Sequence, residues 1–339
     1  MKEKLSWGVI GTGAIAGDLA LSLRKSSRCR IASVAGSSPE KARAFAAKWQ
    51  VPAAASALDE LLADPAVEAV YVATPHPAHE AHALACIAAG KPVLVEKPFT
   101  MDAAAAARVL AAARARGVFV MEAFMYRCHP LARALVARLG DGVIGRVLHV
   151  RADFGFRKAR EPEGRLYNPA LGGGAILDVG CYPASFARLV AGVAVGQPFA
   201  DPVRLQATGV RGPTGVDEQA SALLTFASGV TATISTAIHH ALGRSALIFG
   251  EEGHIVVPDP WAPESHRHGT KTSFTIHRDG REPERVDFDT ERDSYALEAE
   301  LVADALPAHE APWPAMTWDD TLGNMKLLDA WAAALPAAP

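Results

Sequence analysis

The sequence predicts an α/β chain in two parts: an N-terminal doubly wound unit on a parallel sheet, and a C-terminal α+β unit on a large, mostly antiparallel open sheet. Three observations carry that prediction. Short apolar runs alternate with helical segments up to about Phe124, a glycine-rich turn follows directly on the first of those runs, and beyond Phe124 long alternating segments are joined by turns. The division is placed at 1–123 and 124–339, as a prior of roughly 150 residues per domain leads one to expect for 339 residues.

Taken in order, Leu5 to Ile10 reads as a strand and passes straight into Gly11, Thr12, Gly13, Ala14, Ile15 and Ala16. Strand, turn and helix in that order match the looser form of the Rossmann dinucleotide fingerprint. Gly11 permits the tight turn, Gly13 lets backbone approach a pyrophosphate, and Ala16 replaces the third glycine. The helix from about Ile15 to Arg24 offers its free N–H groups and positive dipole end to the diphosphate. Further βα units are read at Arg30 to Ala35 with Pro39 to Trp49, and at Val67 to Ala73 with Pro77 to Ala89, followed by a strand at Val93 to Val95.

The second strand ends in Ala35, Gly36, Ser37 and Ser38, with Lys41 on the first turn of the next helix. An NAD site places a carboxylate at such a tip for the ribose 2′-hydroxyl. Here hydroxyls and a cation stand instead, which suits a 2′-phosphate, so NADP is preferred over NAD. Ser38 also reads as a helix cap with Pro39 at the first helical position, and the two roles are compatible.

In the C-terminal part Val147 to Phe156, Gln219 to Phe226 and Gly229 to Ile238 alternate, the last two meeting across Ser228-Gly229 as a hairpin. More strands are expected at Leu205 to Arg211, Ala246 to Phe249, Ile255 to Val257, Ser273 to His277 and Val286 to Phe288. A helix from about Ala175 to Ala191 interrupts the series, and helices at Ser294 to Leu306 and Trp318 to Leu335 close it. An open sheet with helices on one face leaves the other to be covered, which predicts a homo-oligomer, dimer or tetramer, through the C-terminal sheet.

Composition narrows the function classes. With 21% charged residues and a net charge of −3, no basic stripe points to nucleic acid. Cys29, Cys86, Cys128 and Cys181 lack any C-x-x-C spacing, which predicts reduced thiols in the cytoplasm and no zinc site. The chain enters its first strand directly after Lys2, Glu3 and Lys4, so no signal peptide is expected, and the apolar runs are interrupted, so no membrane span is expected. His76, His79 and His82 are spaced three apart, which spreads them around a helix, and no H-E-x-x-H accompanies them; no metal is predicted.

Two segments carry the chemistry: A-A-G-K-P-V-L-V-E-K-P-F from Ala88, which sets Lys97 at a strand tip, and G-G-G-A-I-L-D-V-G-C-Y-P from Gly172. Gly172, Gly173 and Gly174 are read as a flexible helix entrance. Asp178 and Tyr182, four residues apart, then share a helical face, and Pro183 strains the helix beside the tyrosine. Tyr126, Phe154, Phe156 and Arg157 are read as a polar and aromatic substrate lining suited to sugars or cyclic diols.

With G-T-G-A-I-A, A-T-P-H-P-A-H, A-G-K-P-V-L-V-E-K-P and G-G-G-A-I-L-D-V-G-C-Y-P, the chain resembles the Gfo/Idh/MocA oxidoreductases over nearly its whole length. Many members carry histidine where Tyr182 stands. The tyrosine, and E-A-F-M-Y-R-C-H-P from Glu122, resemble the subgroup of trans-dihydrodiol dehydrogenases, NADP-dependent D-xylose dehydrogenases and glucose-fructose oxidoreductase. His76 departs from the commoner asparagine. The resemblance implies that Thr74, Pro75, His76 and His79 line the nicotinamide side of the cofactor site, with Glu96 and Lys97 at its floor, and that Glu122, Arg165 and Tyr295 reach the cofactor.

The expected reaction is hydride transfer between NAD(P) and a carbinol or carbonyl of a sugar, polyol or cyclic diol. Tyr182 is the acid/base. Lys97 lowers its proton affinity from the reference pKa of about 10 and stabilises the developing alkoxide. Asp178 positions Lys97 or a substrate hydroxyl. An NAD(P)-dependent glycosidase on the same fold and a non-catalytic nucleotide sensor are the alternatives.

Overall fold

The computed structural model describes residues 4–264, 271–290 and 292–336. Residues 1–3, which include Lys2 and Glu3 of the charged start, lie outside them. The chain divides into two compact units, one running through Cys128 and taking up 292–321 again, the other made of 129–290 with the segment from Leu322 onward. The return of 292–321 to the first unit is a feature the continuous division at 123 and 124 does not contain.

The first unit begins β1 (Leu5–Ile10), α1 (Ala14–Leu23), β2 (Cys29–Ala35), α2 (Pro39–Trp49), β3 (Ala53–Ala55), α3 (Leu58–Ala63), β4 (Ala69–Val72), α4 (His79–Ala88), β5 (Val93–Glu96), α5 (Ala103–Arg116), β6 (Val120–Ala123) and α6 (Met125–Cys128). Its strands form one parallel sheet in the order β3-β2-β1-β4-β5-β6. β4, β5 and β6 are buried along their whole length, as strands covered on both faces must be, which is why they read as apolar runs rather than alternations. Strand order reverses between β1 and β4, the point at which such sheets bind their ligands. β3, α3, α5 and β6 extend the elements expected from sequence. Ala53–Ala55 has no strand-forming residue and becomes a strand only because it pairs with β2.

The second unit holds α7 (Pro130–Gly140), β7 (Val147–Gly155), α8 (Cys181–Val193), β8 (Pro202–Arg211), β9 (Asp217–Phe226), β10 (Thr231–Ala237), β11 (Ala246–Gly250), β12 (Gly253–Val257), β13 (Thr272–Arg278) and β14 (Glu284–Phe288). The eight strands run β14-β13-β12-β11-β7-β10-β9-β8, antiparallel except for the parallel β7–β10 pair. The expected hairpin closes at Gly229, whose φ of 86° is open to glycine. Ala220, Ala222, Leu224 and Phe226 of β9 point into the core, while Leu223 on the opposite face is 43% exposed. On that opposite face paired rings cross four strands, His149 to Phe249, Phe249 to His254 and His254 to His277, the last pair stacked at 4.5 Å.

α9 (Ser294–Ala305) packs on α1, β2 and α6 of the first unit. α10 (Trp318–Ala333) starts there too: Trp318 Nε1 donates to Val120 O at 2.9 Å, and the fully buried Arg127 guanidinium pairs with Asp320 at 2.6 Å. One helical segment, Pro169–Val193, is long and apolar enough to cross a membrane by composition, and 94% of its apolar window is buried inside the fold.

Candidate active site

The glycine turn has the geometry its residues predict. Gly11 has a φ of 115°, and a Cβ there would stand 2.5 Å from Ala73 O, so β1 and β4 approach at their ends only without a side chain. Gly13 faces open space, with no atom within 4 Å of where a Cβ would lie. It also begins α1 without a side-chain cap, leaving first-turn N–H groups, those of Ala14 and Ile15 among them, for an external acceptor. Thr12 is half-exposed on the same turn. These are features a diphosphate fits.

At the end of β2 Ser38 caps α2, its hydroxyl accepting from Lys41 N at 3.4 Å, and the Lys41 ammonium donates to Ser37 Oγ at 3.1 Å. Glu40, the one acidic residue of that first turn, is paired with Arg43 at 2.9 Å. The tip therefore presents two hydroxyls and a cation. Lys41→Ala is expected to weaken NADP binding by about ten- to a hundredfold while leaving NAD nearly unchanged, the loss of one charged hydrogen bond. Fluorescence titration with each cofactor measures it; equal losses for both would remove the 2′-phosphate assignment.

Lys97 follows β5 directly and is half-buried, with a cis peptide bond to Pro98. Its backbone surroundings are tied on every side. Glu96 accepts from the Tyr71 hydroxyl with one carboxylate oxygen and from Lys97 N with the other, at 3.1 Å. Glu122 accepts from Phe99 N at 2.9 Å. His79 is turned inward and wholly buried, Nδ1 at 2.9 Å from Pro98 O and Nε2 at 2.8 Å from Thr74 O. Burial lowers the imidazole to a pKa of about 4, so it is neutral and its single N–H donates to one of these two carbonyl oxygens. Thr74 Oγ1 contacts His82 Nδ1 at 3.2 Å, Pro75 is exposed, and His76 is buried with its ring edge-on to His79 at 5.7 Å. Tyr295 is buried at the start of α9.

The G-G-G segment is tight, which corrects its reading as a flexible entrance. A Cβ on Gly173 would lie 2.7 Å from Leu166 O, and one on Gly174, at φ 123°, would collide with the Asp217 carboxylate. These glycines let Asp217 come in from β9 and accept from Ile176 N at 2.7 Å, capping the helix that follows. That helix is also not a single α-helix: Ile176–Gly180 is a π-turn and α8 begins only at Cys181. Pro183 lacks the N–H that a continuous α ladder needs at this point, and a widened turn accommodates the loss. Asp178 lies in the π-turn and Tyr182 in the first turn of α8. Asp178 Oδ1 accepts from Arg165 Nη1 at 2.8 Å, so the anion expected beside Lys97 has a guanidinium partner in its own unit.

Burial pushes the Asp217 carboxyl up to about 6. A folded-state pKa above the unfolded value means stability is complete below about pH 4 and is lost as pH rises through about 6, on the order of 3 kcal/mol. Asp217→Asn keeps an acceptor for Ile176 N without the charge. Thermal melts from pH 4 to 7 should show the variant gaining stability over the parent above pH 6.

Around Tyr182, which is 6% exposed, the rings of Phe154 and Trp261 lie at 5.3 and 6.1 Å. Phe154 and Trp261 stack with 7° between planes, Phe186 meets Trp261 edge-on, and the Arg244 guanidinium sits 4.8 Å from the centre of Phe154. Trp261 Nε1 donates to Asp153 O at 3.0 Å, which fixes the indole. Of the expected substrate residues, Phe154 is thus beside Tyr182, Phe156 is half-buried and Arg157 exposed beyond the end of β7, while Tyr126 is enclosed in the first unit, edge-on to Phe124. Trp261, Arg244 and Asp217 escaped the sequence reading; they stand in irregular segments or at a strand end, where no periodicity marks them.

Comparison with known proteins agrees with this geometry. Residues 5–124 match the oxidoreductase family model described as an NAD-binding Rossmann fold, GFO/IDH/MocA, and residues 132–256 match the GFO/IDH/MocA C-terminal domain. The chain is 37% identical to trans-1,2-dihydrobenzene-1,2-diol dehydrogenase of Mus musculus over 76% of both chains, and 35% identical to that of Homo sapiens over the same shares. In structure it is similar to KijD10, a 3-ketoreductase from Actinomadura kijaniata solved with NADP and TDP-benzene, with a TM-score of 0.85 and 27% identity over 99% of each chain.

Proposed function

The chain belongs to the GFO/IDH/MocA family of NAD(P)-dependent oxidoreductases, and from that premise we propose that it oxidises a carbinol, or reduces the matching carbonyl, on a sugar, polyol or cyclic diol. The observation that carries this reading is Tyr182, held at the start of α8 in edge-type contact with Phe154 and tilted against Trp261. Aromatic walls of this kind suit a ring-shaped substrate, and a phenol placed among them moves one proton without admitting bulk water. The uncapped α1 terminus, Gly13 and the Ser37–Lys41 tip would hold the nucleotide, whose nicotinamide supplies the hydride acceptor or donor when bound. Tyr182 takes the hydroxyl proton in oxidation and returns it in reduction. Lys97 supplies the positive charge that favours the alkoxide. Asp178, neutralised by Arg165, orients a substrate hydroxyl.

Absorbance at 340 nm with NADP and a panel of cyclic diols, aldoses and polyols tests the reading. Net NADPH formation with one of them is expected; release of a free sugar without net NADPH would make the protein a glycosidase, and no turnover with any class would leave it a nucleotide-binding protein. We further propose a homo-oligomer through the outer face of the eight-stranded sheet, which exposes Val210 and Leu223, and a cytoplasmic location in keeping with four buried free thiols. Light scattering after size exclusion reads the first of these.

A further inference from the structure

Residues 258–264, which follow β12, form neither helix nor strand, yet 260–264 are buried and carry Trp261 against Tyr182 and Phe154. Outside a ladder, such a segment is held by its side chains. Trp261 Nε1 donates to Asp153 O, which fixes the indole but not the backbone that carries it. At the near end Asp259 pairs with Arg244 at 3.2 Å, both partly open to solvent, which weakens the attraction. The far end is closed by Glu264, which is 4% exposed. Its Oε2 accepts from His129 Nε2 and from the Thr290 hydroxyl, each at 2.6 Å, and its Oε1 accepts from Thr290 N at 2.8 Å. The other ring nitrogen of His129 settles where the proton is: Nδ1 accepts from Leu131 N at 3.0 Å as the cap of α7, so Nε2 carries the N–H. Burial lowers the pKa of His129, in keeping with a neutral ring. Glu264 itself has a φ of 51°, in the left-handed region that residues with a Cβ rarely adopt, and donors from two distant segments hold it there. All of these residues belong to the second unit.

We propose that Glu264 is a positioning residue that, through the His129 N–H and both donors of Thr290, anchors residues 259–264 and so seats Trp261 as an aromatic wall of the substrate site. Only Ala262 and Pro263 lie between the indole and the carboxylate, and the pyrrolidine ring fixes φ at one of them. Little rotational freedom remains between the two groups, so release of the carboxylate displaces the indole. A carboxylate taken out of water needs donors in fixed places, and the clasp therefore specifies one placement of the segment where an apolar side chain would allow several. The consequence for substrate binding rests on the proposed reading of the Tyr182 site; the seat of Trp261 does not.

Fluorine NMR of the full-length protein labelled with 5-fluorotryptophan reads that seat directly. The chain has six tryptophans, and the line lost in Trp261→Phe is that of Trp261. Glu264→Gly removes the carboxylate and keeps the backbone, because glycine adopts the positive φ freely. His129→Asn keeps the helix cap and is too short to reach Glu264. Both should shift or split the Trp261 line and leave the others in place, Glu264→Gly the more strongly. His129→Gln, whose amide N–H extends to where Nε2 lies, should bring the line back toward the parent's. With the cyclic diol, aldose or polyol that the parent turns over, Glu264→Gly should raise KM at least about tenfold with kcat within about threefold and NADP affinity kept, the split expected when binding by a wall is lost. A smaller folded fraction would instead lower the apparent kcat at unchanged KM. An unmoved Trp261 line in Glu264→Gly, a change spread over all the tryptophan lines, or no return in His129→Gln overturns the clasp; an unmoved KM beside a displaced line overturns its role in substrate binding. A failure of the proposed reaction appears separately, as no turnover with any substrate class while the fluorine result stands.

Discussion

Lys97→Met is expected to lower turnover by roughly 10² to 10⁴ while the protein stays folded and keeps its affinity for NADP, the range for loss of an electrostatic or acid/base group. The strand tip does not depend on the ammonium for its shape. Glu96 holds the backbone of residue 97, Glu122 holds that of Phe99, and His79 spans Thr74 and Pro98, all through groups that the substitution leaves in place. Methionine keeps the length of the aliphatic stem, so packing changes little. The measurement is kcat at saturating cofactor with a thermal melt as control. A variant with near-parental kcat would reduce Lys97 to a structural residue.

Tyr182→Phe is expected to remove most of the turnover and to abolish the rise of the oxidation rate with pH. The contacts with Phe154, edge-type, and Trp261, tilted, are made between the aromatic rings, so phenylalanine preserves them and only the hydroxyl is lost. NADP affinity should be spared, since the nucleotide cradle is built from the first unit's own turn and helix. Tyr182→His should recover part of the rate with the limb moved toward the imidazole range near about 6.5, because histidine serves as acid and base from the same helical position. pH–rate profiles for the three proteins decide the matter. An unchanged rate and profile in Tyr182→Phe would mean that the phenol is packing and that the proton travels by another route.

Much of this protein is written in local pattern. The glycine turn, the alternating βα units, the hairpin at Ser228-Gly229 and the lysine at a strand tip are each consequences of a few adjacent residues, and each stands in the structure where the pattern puts it. A strand buried on both faces must be apolar throughout, and a turn that meets another backbone must be glycine, so these features are visible without knowing what lies across the sheet.

The sequence by itself therefore determined the fold class, the nucleotide-binding turn and the identity of Lys97, Asp178 and Tyr182 as the residues to test. Only the tertiary structure decided their environments. The glycines before the Ile176–Val193 helical segment serve close packing against Asp217, which arrives from 41 residues downstream to cap Ile176; the segment opens as a π-turn; Asp178 is claimed by Arg165; and Trp261 reaches Tyr182 from a segment without regular structure. The physical reason is common to all of them. Periodicity and turn chemistry report what a residue does with its near neighbours in the chain, whereas burial, ion pairing and ring contacts depend on which distant segments the fold brings against it.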